Sequence, residues 1–437
     1  MKPVFAVFLL VISVAIVSAD ESSLTLEEAI AKALAGNPSI EASSETAKAS
    51  GYKVGQAASG YMPQASVSLG YQRSTSNSGA MPDSDSQNNT HESSDSYNNF
   101  SATLNLEVPI WDFGRTMGTH KSAKALKESS GFDLTTTVED TIFYVIQGYY
   151  AVLATQDALF SATDNKAKME KHLELAKTQV AAGLRQKIDV LRAQSDLASA
   201  DLALVQAKNA RSQARLNLAT IIGISDTGFT AIRSEVNTDI PDTNIDEAVK
   251  LAMQKRPEYK SLMAKIKASD GTITASKSGY FPTLSANGSV GYSGFELPDM
   301  AYNWTVGASL SWNFFSGLGT MNSVNESLAN KRALLAQLKS LELSIKNDIG
   351  TALISLSEAQ EKIGPAELFL TSASETLTLA EERYAAGLGN IVEITDSQLL
   401  YTQARIQKIQ ADYDLDMAKA KYLKSIGKIS EFTKNGQ

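Results

Sequence analysis

Two carboxylates three residues apart, Glu393 and Asp396, stand at the start of a helical pattern. A helix would hold both on one face. Such a pair can move protons, bind a metal or gather cations. The first two need companions that this chain does not supply. His91, His120 and His172 are scattered, with no matching ligand or nucleophile nearby in sequence. No phosphate loop and no serine elbow occurs. The chain therefore reads as a non-enzyme, with no catalytic residue, no cofactor and no metal site. On the residues alone, the plain preference of carboxylates for a helix's first turn accounts for the pair.

The pair belongs to a stretch that occurs twice, YAAGLGNIVEITDSQ (Tyr384 to Gln398) and TQVAAGLRQKIDVLRAQ (Thr178 to Gln194). Asp189 matches Glu393, but Arg192 stands where Asp396 does. In each copy a long helical pattern reaches Ala-Ala-Gly-Leu and then restarts. Gly183 and Gly387 can take the left-handed conformation that ends a helix. Each copy reads as the tip of a helical hairpin, with Gly183-Leu184 and Gly387-Leu388 as its exposed point.

The elements that must position these tips are also doubled. Thr25-Leu26-Glu27-Glu28, a helix and Asn37-Pro38 return as Asn244-Ile245-Asp246-Glu247, a helix and Arg256-Pro257. Gly60-Tyr61-Met62-Pro63 returns as Gly279-Tyr280-Phe281-Pro282 at the same offset. Such agreement marks an internal repeat. The first repeat covers 20–223, with strands near 63–73 and 99–109 and a long hairpin at 114–222. The second covers 244–427, with strands near 282–293 and 302–313 and a hairpin at 317–426. A linker, 224–243, lies between them, and a tail follows at 428–437.

After each proline the period changes from 3.6 to 2. Ala65, Val67, Leu69 and Tyr71 alternate with Ser66, Ser68, Gly70 and Gln72. Trp304, Val306, Ala308, Leu310 and Trp312 alternate with Asn303, Thr305, Ser309 and Ser311. Strands of about ten residues, apolar on one side and small and polar on the other, fit a transmembrane β-barrel. Trp304, Trp312, Phe100, Tyr71 and Tyr292 are candidates for its interfacial aromatics. The segment Arg73 to Asn99 is rich in Ser, Asn and Asp and cannot build a core. It reads as an extracellular loop, and its Asp83, Asp85, Glu92 and Asp95 as solvated. Each strand pair leads into a helix of about 65 residues, near 100 Å long. The return helices carry two apolar stripes. One stripe is marked by Ala193, Ala200, Ala207 and Ala214, seven residues apart. Two stripes call for two neighbours.

Composition narrows the setting. Lys2, an apolar run from Val4 to Val17, and Val17-Ser18-Ala19 make residues 1–19 an export signal. The chain of 437 residues has no Cys, which removes disulfides, thiolate metal sites and a lipidated cysteine. Its net charge of −8 argues against nucleic acid.

The doubled order, the Pro-Ile-Trp-Asp-Phe-Gly exit (109–114) and the Tyr-Ala-Ala-Gly-Leu-Gly-Asn-Ile-Val-Glu-Ile tip (384–394) resemble the TolC family of outer-membrane efflux channels. The resemblance covers nearly the whole mature chain. It implies a homotrimer in which three protomers, four strands each, share one twelve-stranded barrel in outer-membrane lipid. It implies a long periplasmic tunnel of antiparallel helices. It also implies a periplasmic adaptor and an inner-membrane pump as partners, meeting the tips at Gly183, Leu184, Gly387 and Leu388. Glu393 and Asp396 fall where that family's channels carry acidic residues around the periplasmic constriction, so three copies would supply six carboxylates. Asp189 and Arg192, their counterparts in the first copy, are expected at the same constriction, where Arg192 would pair with Asp396 or Glu393 across the mouth and hold it shut. The expected function is the exit duct of an efflux or type I secretion system. A stand-alone porin and a coiled-coil envelope protein are the competing readings. Long hairpins argue against the first, and alternating strands against the second.

Overall fold

The structure, a computed structural model, describes residues 22–76, 95–225, 228–232 and 244–430. The export signal, residues 77–94 of the polar loop with His91, most of the linker and the tail from 431 lie outside these residues. The chain divides into two compact units, and each draws on both halves of the sequence. One comprises 42–136 and 256–344; the other comprises 1–41, 137–255 and 345–437.

The first unit holds a four-stranded antiparallel sheet built from β2 (Gln64–Ser76), β3 (Asp95–Trp111), β5 (Thr283–Gly294) and β6 (Ala301–Ser311). Their order is β2-β3-β5-β6, so β2 and β6 are open edges. Strand β3 begins at Asp95, four residues earlier than its alternation suggests, because its polar end continues the ladder to Ser76. Side chains alternate between faces. The register sets Val67 beside Leu104 and Leu104 beside Val290 on the apolar face. The other face is a mesh of small polar groups. Ser285 and Ser309 bond at 3.1 Å, Asn287 donates to Ser309 at 2.8 Å, and Ser289 and Thr305 bond at 2.6 Å.

Each strand pair leaves the sheet through a left-handed corner. Phe113 and Gly114 take φ of 51° and 94°, and Gly317 and Leu318 take 58° and 66°. The glycine thus occupies opposite positions of the two corners. Asp112 accepts the N–H groups of Gly114 (3.1 Å) and Thr116 (2.7 Å), capping α3 (Arg115–Ala181). Ser316 accepts the Thr320 N–H at 3.2 Å and does the same for α7 (Gly319–Ala385). Both long helices have 67 residues. Within this unit α3 crosses α6 (Pro257–Lys277) at Gly118 and Gly271. A Cβ on either glycine would lie 2.6 Å from the other's carbonyl oxygen, so backbone meets backbone there. Hydroxyls continue the seam, with Ser129 and Ser261 bonded at 2.9 Å and Ser261 donating to Asp133 at 2.6 Å.

The second unit contains α1 (Leu26–Gly36), α4 (Lys187–Ile222), α5 (Ile245–Lys255) and α8 (Ile391–Ser425), with the later parts of α3 and α7. The capping box expected at Thr25 and Glu28 is present. Gly223 ends α4 at φ 80°, where a Cβ would lie 2.6 Å from the Gly36 carbonyl oxygen. Sequence periodicity gave no sign of a small parallel ladder between β1 (Ser22–Leu24) and β4 (Phe229–Ala231). Gln156 grips it by exchanging two 3.2 Å bonds with the Ala231 backbone. The buried Tyr149 hydroxyl reaches the carbonyls of Leu24 (2.8 Å) and Ile232 (2.5 Å). Burial pushes that phenol up to about 12.

The two stripes of α4 part company in this unit. Ala193, Ala200, Ala214 and Leu218 are buried, whereas Ile188, Leu191, Leu202 and Val205 are more than half exposed. In α8, Ala404, Ala411 and Ala418 are buried while Leu399 and Ile406 are exposed.

Candidate functional site

Both hairpin tips are closed by the same backbone motif. At the end of α3, Leu184 N–H donates to the Gln179 carbonyl (2.9 Å) and Gly183 N–H to that of Val180 (3.0 Å). At the end of α7, Leu388 N–H donates to the Arg383 carbonyl (2.8 Å) and Gly387 N–H to that of Tyr384 (3.0 Å). This crossed pair satisfies the last carbonyls and needs a left-handed residue between them. Gly183 and Gly387 supply it, at φ 75° and 77°. The turn throws Leu184 and Leu388 outward, 73% and 75% exposed.

The restarts differ. In α8 the Asn390 side chain accepts the Glu393 N–H at 2.8 Å, a regular N-cap. In α4 the corresponding Gln186 makes no capping bond. Glu393 accepts from Arg383 Nε at 3.1 Å, so its charge is balanced inside its own hairpin. Asp396 and Arg192 are exposed, Asp189 is half-buried, and among the described residues Asp396 and Arg192 form no ion pair within the chain.

The first tip is tied to the second by Arg185. Its guanidinium donates to the Gly389 carbonyl at 2.5 Å and lies 5.0 Å from the centre of the Tyr384 ring. Tyr384 is fully buried among Ala380, Ile391 and Ile394, with Leu175 packed against them. Among the described residues its hydroxyl has no hydrogen-bond partner. Burial pushes the phenol upward, the Asp189 carboxylate adds to this, and Arg185 opposes it. Polar bonds continue the tie. Thr395 donates to Asp196 (2.9 Å), Gln398 to Asn165 (2.7 Å) and Arg405 to Asp164 (3.3 Å), and His172 meets Glu381 at 3.2 Å. Arg185 and Arg383 escaped sequence reading because no helical spacing rule spans a turn.

Aromatic rings gather at both ends of the sheet. Tyr71 pairs across strands with Phe100 (centroids 4.9 Å) and Tyr292 with Tyr302 (5.4 Å). Trp304 lies one pair further in on the same face, opposite Val290. At the helix side Phe113 stacks on Phe281 at 5.1 Å and meets Trp111 at 6.0 Å. Trp312 lies 6.4 Å from Phe314 and donates its indole N–H to the Tyr280 carbonyl at 3.1 Å. Phe113, Phe281 and Phe314 follow or precede the strands, where period-2 alternation carries no signal. No helix of the described residues is long and apolar enough to cross a membrane.

A sheet with an apolar face and aromatic ends leads into two 67-residue helices, and such a sheet suits a membrane-spanning set of strands. The chain belongs to the outer membrane efflux protein family, whose model matches residues 29–224 and 248–428. It is 22% identical to protein CyaE of Bordetella pertussis over 94% of this chain and 86% of that one. It is 23% identical to the pyoverdine export outer membrane protein OpmQ of Pseudomonas aeruginosa, over 74% of this chain and 70% of that one. The Campylobacter jejuni CmeC outer membrane channel has the same fold, with a TM-score of 0.81 at 17% identity, covering 92% of this chain and 86% of CmeC.

Proposed function

We propose that three copies of this chain close one barrel and one helical duct, which forms the outer-membrane exit of an efflux or secretion system. One observation carries this reading: the sheet has four strands with both edges open, on a chain whose family resides in the outer membrane. Unpaired strand edges are not tolerated in lipid, and about eight strands is the lower limit for closure. Two copies would reach that limit; the family resemblance favours three and twelve strands. The exposed stripes of α4 and α8 supply the second neighbour that each helix lacks within one chain.

In this reading a periplasmic adaptor, itself bound to an inner-membrane pump, docks on the tips at Gly183, Leu184, Gly387 and Leu388. Glu393, Asp396 and Asp189 line the constriction, and Arg192 faces Asp396 of a neighbouring copy. Because Arg383 balances Glu393, Asp396 carries the larger share of uncompensated charge. Charge rings of this kind set ion selectivity. Trp304, Trp312, Phe100, Tyr71 and Tyr292 lie at the lipid interfaces, joined by Trp111, Phe113 and Phe314.

The test is a planar-bilayer recording on detergent-purified protein, with native mass measured in parallel. A conducting trimer is expected, with cation preference reduced more by Asp396→Asn than by Glu393→Gln. A monomer stable without detergent would overturn the reading.

A further inference from the structure

The polar face of the sheet is almost free of charge. From Gln64 to Gln72 it presents Ser66, Ser68 and Gly70, and along β5 and β6 it presents Ser, Asn, Thr and Gly. Glu107 is the exception on that stretch. It stands near the helix-side end of β3, between Gln64 on one neighbouring strand and Asn287 on the other. It is exposed, and among the described residues no Lys or Arg pairs with it. The side chains around it border a hollow of about 360 Å³ lined by Gln64, Ser66, Asn105, Asn287 and Thr305. These amides and hydroxyls offer oxygens to a hydrated cation. A carboxylate on this locally neutral stretch of wall must be balanced by mobile ions, and in a narrow bore it weighs on every ion that passes.

We propose that Glu107 is a second cation-selecting position, set in the barrel wall and independent of the carboxylates at the hairpin tips. This rests on the channel reading above, in which the polar face lines the bore. Closure of three copies would bring three Glu107 side chains to one level. They would then attract hydrated multivalent cations that enter from the sheet side.

The experiment uses the full-length oligomer in a planar bilayer, with hexamminecobalt(III) added to the compartment on the sheet side. Wild type is blocked from that side. Glu107→Gln weakens this block about tenfold, as expected for loss of a close charge in a partly screened site. In the background of Glu393→Gln and Asp396→Asn, Glu107→Gln causes the same loss of about tenfold, as independent sites require. A Glu107→Gln channel blocked like wild type overturns the proposal. Because the chain has no native cysteine, Glu107→Cys gives a second arm. Labelling with a sulfonate-bearing methanethiosulfonate restores the block, and an ammonium-bearing one removes it. Equal block with both labels also overturns the proposal. Failure of wild type to conduct at all overturns the channel reading and this inference with it, whereas conduction with unaltered block overturns this inference alone.

Discussion

The two hairpin tips share a backbone but not a means of support. Both close through a left-handed glycine and the same crossed pair of hydrogen bonds. The second tip then holds itself, with Asn390 capping the return helix and Arg383 bonded to Glu393. The first has no cap at Gln186 and is tethered outward, through Arg185, to Gly389 and Tyr384 of the second. Two tips with the same turn thus differ in how that turn is stabilised. One copy is anchored by its own side chains, and the other is held by its neighbour.

This asymmetry can be broken at several points. Leu388→Asp places a charge on the exposed point of the anchored tip. Pump-dependent export should be abolished while membrane insertion and oligomer formation persist; export at wild-type rate would refute the tip contact. Arg185→Ala removes a charge-assisted hydrogen bond and a ring contact, together ~1–3 kcal/mol. It should raise single-channel conductance and speed proteolysis at the already exposed Gly183-Leu184, with Gly387-Leu388 less affected. Equal protection of both tips would show that the tether is idle. Arg192→Ala should also raise conductance, by less, if its partner is a neighbouring copy. A purely intrachain role predicts no such change.

Smaller effects sharpen the contrast. Asn390→Ala should cost about 1 kcal/mol in thermal unfolding, whereas Gln186→Ala should cost almost nothing, since no cap exists to lose. Gln186→Asn should recover part of that amount for the first tip. Tyr384→Phe removes a buried hydroxyl without a partner, so stability should hold or rise by up to about 1 kcal/mol. A clear loss would mean that the hydroxyl is bonded in the assembled oligomer.

Much of this was legible in the residues. The helix-ending role of Gly183 and Gly387 follows from steric freedom at one position, and it is what the structure has. The strands announced themselves through Val67, Leu69 and Tyr71 alternating with serines, because a period of two is a local property. The Arg185 tether was not legible, since it joins residues 204 positions apart across a turn. Nor was the grip of Tyr149 and Gln156 on the short ladder, because strands of three residues have too few alternations to show a period.

Local backbone preference and side-chain periodicity are written along the chain, and from them alone came the doubled order, the long helices, the two-faced strands and the sites of the turns. What tertiary structure decided is which apolar stripe of α4 is covered, which arginine meets which carbonyl, and that among the described residues of one chain Glu393 has an ion-pair partner while Asp396 has none. Those outcomes depend on distances between segments far apart in sequence. Such distances are set by packing, which no single stretch of the chain encodes.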